Sequence, residues 1–434
     1  MSSTSFWKPA YQLFKPEEPL ATSEDLRNFY VQRTDSPVEA LVNLLSMEDD
    51  PAKFLLAGHR GGGKTTELRR LQQKLNHTHT VIWLDTETAL NRYNIGYAEV
   101  VVLIGFEIYR TAKESGWKLN RRLYKELEES LKTVVYQDKL TQDEGLGLPE
   151  VLTKIGLILK RGLNSEVTKT LNVRPVLSDI IDKVNAIIQA AEQETFQKLL
   201  VIVDGLDRHD QGTALEMFSS TLLTELNCHI IYSIPISLRY SPSFRQPMES
   251  FQKCLDLTNP PVFECDHNLC PTTTPNQLGR GILSSVVNKR LARLGTNYQH
   301  IFTQDALELL CEKSGGVIRD LVRLARTSCE VALGKKANCI DLVTAQEAVK
   351  EVRKEYTLSD YHFSALDVVH RTGSLTTKTH TLPKKGEFVV CDELLQNKFV
   401  LGYYDASGNP WFDVNPILIE DLERWQAANP PQAQ

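Results

Sequence analysis

The 434-residue chain has no long apolar run: the longest nearly unbroken one, Val100 to Phe106, covers seven residues where a membrane-spanning helix needs about twenty. It also has no excess of positive charge. With 49 basic against 55 acidic residues the net charge is −6 and the isoelectric point is near 6.0, so the global field behind non-specific nucleic-acid binding is missing. Met1 to Ala10 contain no basic stretch followed by a long apolar segment, which speaks against a secretory signal and makes the cytoplasm the expected compartment. Cysteine is sparse and unpaired. All eight lie in the second half of the chain without CxxC spacing, so neither a disulfide framework nor a zinc ribbon is expected, and Cys265 and Cys270 read as a strand end and a loop. No internal repeat is visible. What is present, 41% hydrophobic and 24% charged residues, is close to the globular average, and the length suits roughly two to four domains.

The pattern along the chain divides it as follows. Residues 1–35, with Pro9, Pro16 and Pro19 and no sustained period, predict an irregular arm. Residues 36–272 predict an α/β core. Ser36-Pro37 opens a helix, and Lys53 to Ala57 is a short apolar run that breaks into glycines before helical spacing resumes at Leu68, Leu71 and Leu75. Further apolar runs at Val81–Leu84, Leu199–Val203 and His229–Ile234 read as strands buried on both faces of a parallel sheet, with an edge strand at Val262-Phe263. Residues 118–197, charged and helical in spacing, look like a helical insertion. Four helical patterns over 273–356 predict an all-α lid. Residues 357–430 combine helices with a hairpin closed by Asp405-Ala-Ser-Gly-Asn-Pro410, as in a winged helix, and the tail from Ala427 reads as disordered. The expected fold is therefore α/β, a doubly wound parallel-sheet core with a helical insertion, followed by the all-α lid and the winged helix.

Two motifs carry chemistry. Gly58-His59-Arg60-Gly61-Gly62-Gly63-Lys64-Thr65, with Thr66 next, matches the phosphate-binding loop between a strand and a helix. Glycines permit positive φ and close backbone approach, so amides at a helix N-terminus can face phosphate. Lys64 is placed for the β- and γ-phosphates and the Thr65 hydroxyl for Mg²⁺. The second motif is Leu199-Leu-Val-Ile-Val-Asp204, an apolar strand that delivers a carboxylate at its C-terminal edge, also suited to Mg²⁺. Gly205 follows it, and the next acids are Asp207 and Asp210. No Asn/Thr-Lys-x-Asp guanine pattern occurs, which favours adenine.

With these motifs, the order of segments over about residues 30–425 resembles the AAA+/STAND superfamily and is similar in layout to archaeal origin-recognition initiators. Many AAA+ enzymes place a water-activating Glu where this chain has Gly205. Asp204-Gly-Leu-Asp207 resembles the STAND switch ATPases more than the processive motors, and the resemblance implies Asp207 as the group that orients water. It further implies that Ser233, closing its strand before Ile234-Pro235, senses the γ-phosphate. Arg319 in Ser314-Gly-Gly-Val-Ile-Arg319 would be the sensor of the lid, and Arg245, with Arg239 as the rival, an intersubunit arginine finger. Tyr30 and Arg33 lie where related ATPases contact adenine.

The function these readings predict is a Mg²⁺-dependent, slowly hydrolysing ATP switch that changes domain arrangement, self-associates or engages a protein partner, with no membrane. The alternative is an initiator that binds DNA through its winged helix. Residues 360–434 carry ten acids against six bases, net −4, and no Lys or Arg stands between Phe399 and Glu423, which disfavours groove insertion. A small-molecule kinase would need an acceptor site that the sequence does not display. The hairpin aromatics Phe399, Tyr403, Tyr404, Trp411 and Phe412 predict a docking surface instead.

Overall fold

The computed structural model describes residues 3–86, 96–137, 173–295, 300–375 and 392–430. The chain forms two compact units. One comprises Met1–Pro37, Gly58–Arg69 and Leu257–Gln434, the other Val38–Ala57 and Arg70–Asp256. The N-terminal segment is not irregular. It contains α1 (Ser3–Leu13) and α2 (Ser23–Phe29), the second opened by a capping box in which the Thr22 hydroxyl accepts from the Asp25 amide and Asp25 accepts from the Thr22 amide. The prolines that suggested an irregular arm lie inside or between these helices.

The second unit is built on α3 (Val38–Met47), the strands β1 (Lys53–Gly58), β2 (His79–Asp85), β3 (Lys198–Asp204), β4 (His229–Ile234) and β5 (Lys253–Leu257), and their flanking helices. Strand order is β2-β3-β4-β1-β5, with β2 to β3, β3 to β4 and β4 to β1 parallel. This is the doubly wound α/β core expected. β1 and β4 are buried along their whole length, and β3 except for Lys198, which is why they read as unbroken apolar runs. Edge strand β5 was not anticipated. Val262-Phe263, expected as an edge strand, instead leads into β6 (Phe263–Cys265) of a separate antiparallel pair with β7 (Pro271–Pro275).

After α4 (Lys64–Leu75) come α5 (Tyr97–Glu114), α6 (Arg121–Gln137) and α7 (Val173–Thr195). The part of the expected insertion that forms α7 is no appendage. Its Leu177, Ile180, Val184, Ile187 and Ile188 share one core with Val201 and Val203 of the sheet and with Val101, Ile104 and Ile108 of α5. Gly105 lets the two helices meet, since a Cβ there would stand 2.9 Å from Val184 Cγ2. α8 (Gln211–Phe218) follows β3 and is capped by Asp210, which accepts from the amide and hydroxyl of Thr213.

In the first unit, four lid helices match the sequence pattern: α9 (Gln277–Leu291), α10 (Gln304–Lys313), α11 (Ile318–Lys335) and α12 (Leu342–Arg353). α1 packs on α11, burying Trp7, whose indole donates to Ala337 O at 3.0 Å, while Arg326 stacks on Tyr11 with 3.9 Å to the ring centroid. The chain ends with α13 (Asp360–Thr372), a helical turn at 392–396, the hairpin β8 (Val400–Tyr404) and β9 (Pro410–Val414), and α14 (Ile419–Ala428). α14 occupies the start of the tail expected to be disordered, and the remainder from 431 lies outside the described residues. The hairpin aromatics do not form a free surface: Phe399, Tyr403, Trp411 and Phe412 are buried, Tyr403 and Trp411 in a cluster with Val317 and Leu401.

Candidate functional site

The phosphate loop leaves β1 at Gly58 and enters α4 at Lys64. Gly61 and Gly63 take φ of +87° and +105°, which only glycine adopts without strain. Lys64 is buried and its Nζ donates to the carbonyls of Gly58 at 2.7 Å and His59 at 3.1 Å, so its charge is held by the loop itself. The Gly62 amide donates to His59 O at 3.0 Å. Thr65 and Thr66 follow in the first turn of α4, half-buried, and Arg60 is exposed.

Residues far away in sequence hold this loop from outside. The Arg319 amide donates to Gly61 O at 3.1 Å, and its Cβ stands so close that a Cβ on Gly61 would lie 2.8 Å from it. Arg33 donates to Gly62 O at 2.6 Å and to Thr258 O, with its Nε toward Asp35. From the C-terminal hairpin, the Gly402 amide donates to His59 Nε2 at 2.9 Å. That bond places the imidazole proton on Nδ1, which is buried without a partner. Burial, with Lys64 and Lys398 nearby, pulls the His59 pKa down to about 3. The hairpin is itself fastened to the lid: Tyr403 Oη donates to Gly315 O at 2.9 Å, Leu401 leaves no room for a Cβ at Gly315, and Lys398 pairs with buried Asp320 at 2.5 Å.

Two expected placements therefore change meaning. The Arg319 guanidinium donates through Nε to Pro16 O at 3.1 Å, so its side chain is engaged with the N-terminal segment. Tyr30 and Arg33 brace the loop and its helix: Tyr30 Oη and Ser36 Oγ donate to Glu67, at 3.1 Å and 2.6 Å, on the first turns of α4. A side chain that sequence patterns gave no reason to notice is Asn259. It is 1% exposed, it has no hydrogen-bond partner at either amide atom, and its Oδ1 would lie 3.0 Å from a Cβ on Gly62.

In the other unit, the strand ends carry the remaining residues. Asp204 closes β3 opposite Asp85 of β2, buried, and its Oδ1 accepts from the Gly205 amide at 2.9 Å. Gly205 takes φ +93° and opens a 3₁₀ turn, Leu206–Arg208, that carries Asp207 half-buried. The turn explains the absence of Glu after Asp204, because a side chain at 205 would be strained. Asp210 is the cap of α8 and has no free role. Ser233 of β4 lies opposite Leu56 of β1, and its hydroxyl is fully buried without a partner. Arg239 is tied to Asp256 by two bonds, 2.9 and 3.0 Å, whereas Arg245 is exposed in a short helical turn.

Within the first unit these residues fit a phosphate-rich ligand: a glycine turn with positive φ, a buried lysine at a helix start, and the orphaned amide of Asn259. Residues 35–225 match the model of the KAP family P-loop domain. The chain contains a P-loop NTPase domain. No curated protein matches the sequence. Among solved structures, the P-loop chain is similar to ORC2 of Aeropyrum pernix at 15% identity and TM-score 0.45, covering 96% of this chain and 98% of that one. It is also similar to Cdc6p of Pyrobaculum aerophilum at 12% identity and TM-score 0.40, with 96% and 98% covered. The RuvB branch migration motor of Thermotoga maritima aligns at 12% identity and TM-score 0.38, with 95% and 99% covered. Among the described residues no helix of the P-loop protein is long and apolar enough to cross a membrane, and no group of three or more His, Cys, Asp or Glu side chains could hold a metal.

Proposed function

We propose that the chain is a Mg²⁺-dependent ATP switch, slow to hydrolyse, in which nucleotide competes with contacts that the lid, the N-terminal segment and the C-terminal winged helix make to the phosphate loop. One observation carries this reading. Gly61 O, Gly62 O and His59 Nε2, three points on the loop, are held by Arg319, Arg33 and Gly402, while Lys64 Nζ donates to loop carbonyls. A loop built only for fast turnover has no need of such ties. A loop that reports its occupancy does, because a ligand shifts an equilibrium only through contacts that differ between states.

Lys64 binds the β- and γ-phosphates once it leaves the Gly58 and His59 carbonyls, and the loop amides take the phosphate oxygens. The Thr65 hydroxyl and the Asp204 carboxylate would hold Mg²⁺, which would supply charge neutralisation and orientation of the phosphates. Asp207 orients water in place of the glutamate that Gly205 displaces, Ser233 reads the γ-phosphate, and Arg319 does so from the lid after leaving Pro16. Arg245, the exposed cation of the pair, serves a neighbouring subunit if the chain self-associates. The buried hairpin and the acidic C-terminal segment weigh against the DNA-binding alternative.

Nucleotide titration followed by small-angle scattering tests the switch. A nonhydrolysable ATP analogue should change the profile of wild type and leave that of Lys64→Ala unchanged. Identical wild-type profiles with and without saturating analogue would sink the proposal.

A further inference from the structure

We infer that Asn259 reads the adenine base, donating Nδ2–H to N7 and accepting at Oδ1 from the 6-amino group. This rests on the nucleotide reading above and deepens it. Asn259 follows β5 and lies between the phosphate loop and the lid. A Cβ on Gly62 would stand 3.0 Å from its Oδ1, and one on Gly316, where φ is +82°, 3.2 Å from its Cβ. Both neighbours are glycine, which is what gives the amide its space.

The side chain is 1% exposed, yet Nδ2 and Oδ1 are both without a partner. Buried amides are almost always satisfied, so an unpaired one needs an explanation. Its own segment cannot supply one. Pro260 and Pro261 have no N–H to offer Oδ1, and Thr258 O accepts from the Arg33 guanidinium.

The chemistry of the missing partner follows from the amide. Phosphate oxygens only accept and would place negative charge against Oδ1. A single ribose hydroxyl satisfies one amide atom and strands the other. An adenine edge presents a donor and an acceptor side by side at N6 and N7, the pattern an asparagine amide matches with two bonds, whereas guanine presents two acceptors there. Adenine selectivity thus comes without the Asn/Thr-Lys-x-Asp pattern.

The test is calorimetric titration of the full chain with Mg²⁺ and ATP, 7-deaza-ATP (no N7) or inosine triphosphate (oxygen at position 6), together with melting of the nucleotide-free protein. Wild type should bind inosine triphosphate about ten-fold or more weaker than ATP and 7-deaza-ATP several-fold weaker, as a lost bidentate pair implies. Asn259→Leu should bind all three alike, with a nucleotide-free melting temperature equal to or above that of wild type, because it removes an unsatisfied amide. Asn259→Ser serves as the second variant should the leucine not fold. Discrimination retained in either variant overturns the inference, and a lowered melting temperature with discrimination intact identifies a packing residue. If wild type does not bind ATP, or binds it irrespective of Lys64→Ala, the nucleotide reading itself fails and this one with it.

Discussion

The phosphate loop and the end of β3 are the two places where a strand hands the chain to chemistry, and they are secured in different ways: one by distant segments, the other by the sheet. At β3, the turn itself is local, with Asp204 Oδ1 bonded to the next amide, Gly205 turning the chain and Asp207 following within one 3₁₀ turn, while the strand is held by its register with β2 and by Thr86 Oγ1 donating to Asp204 O at 2.9 Å. At the loop, the decisive contacts come from Arg33, Arg319 and Gly402, tens to hundreds of residues away. A group set by a short turn at the end of a sheet strand is fixed by the sheet, which suits catalysis. A group secured by distant segments changes when they move, which suits regulation.

The comparison breaks most decisively at Lys64. Lys64→Ala should weaken Mg²⁺-ATP binding by about 10²- to 10³-fold, the cost of one preorganised electrostatic contact, as read by calorimetry. Equal affinity in variant and wild type would show that the loop is not the nucleotide site. The local side is probed by Asp207→Asn, expected to lower steady-state turnover by about 10²-fold with ATP affinity nearly unchanged, as for a group acting mainly in the transition state. Turnover indifferent to this change would move the water-orienting role elsewhere.

The distant side has a pH signature. His59 is held neutral with a pKa of about 3 in the folded chain against 6.5 for the free side chain. The unfolded chain therefore takes up the proton first, so the stability this group protects is fully present above about pH 6.5 and is lost as pH falls toward 3, by about 1.4 kcal/mol per pH unit. His59→Gln keeps an acceptor for the Gly402 amide and cannot titrate. Its unfolding free energy should fall less steeply over that range, by about one proton's worth, while the burial-lowered His79 and His229 contribute equally to both proteins. Parallel denaturation curves across the range would contradict the buried, neutral assignment.

The smallest effect sharpens the comparison further. Tyr403→Phe removes the bond to Gly315 O and loosens the hairpin from the lid, a loss of about 1 kcal/mol. Nucleotide then competes with weaker ties, and ATP should bind several-fold tighter than to wild type. Tighter binding confirms that the hairpin opposes the nucleotide. Unchanged or weaker binding would make the hairpin contact purely structural.

Sequence alone carried the α/β sheet, the phosphate loop, Asp204 and the four lid helices, because each is written in a local signal: a buried β-branched run, a glycine pattern of fixed spacing, an amphipathic period. The short strand β5 was missed because Lys253-Cys-Leu-Asp-Leu257 alternates weakly at a sheet edge, and α1 was missed because Pro9 sits inside it. The pairing of α7 with α5 was equally hidden, since helical spacing says that a face is apolar and nothing of what covers it. Only tertiary structure decided that Arg319 reaches back to Pro16, that Gly402 caps His59, that the hairpin aromatics are buried, and that Asn259 is left with an unpaired amide. The first two depend on backbone groups met across large sequence separations, and the last two on which side chains the fold brings around them. Backbone amides and carbonyls are the same at every residue, so no residue type announces such a partnership before the chain has folded.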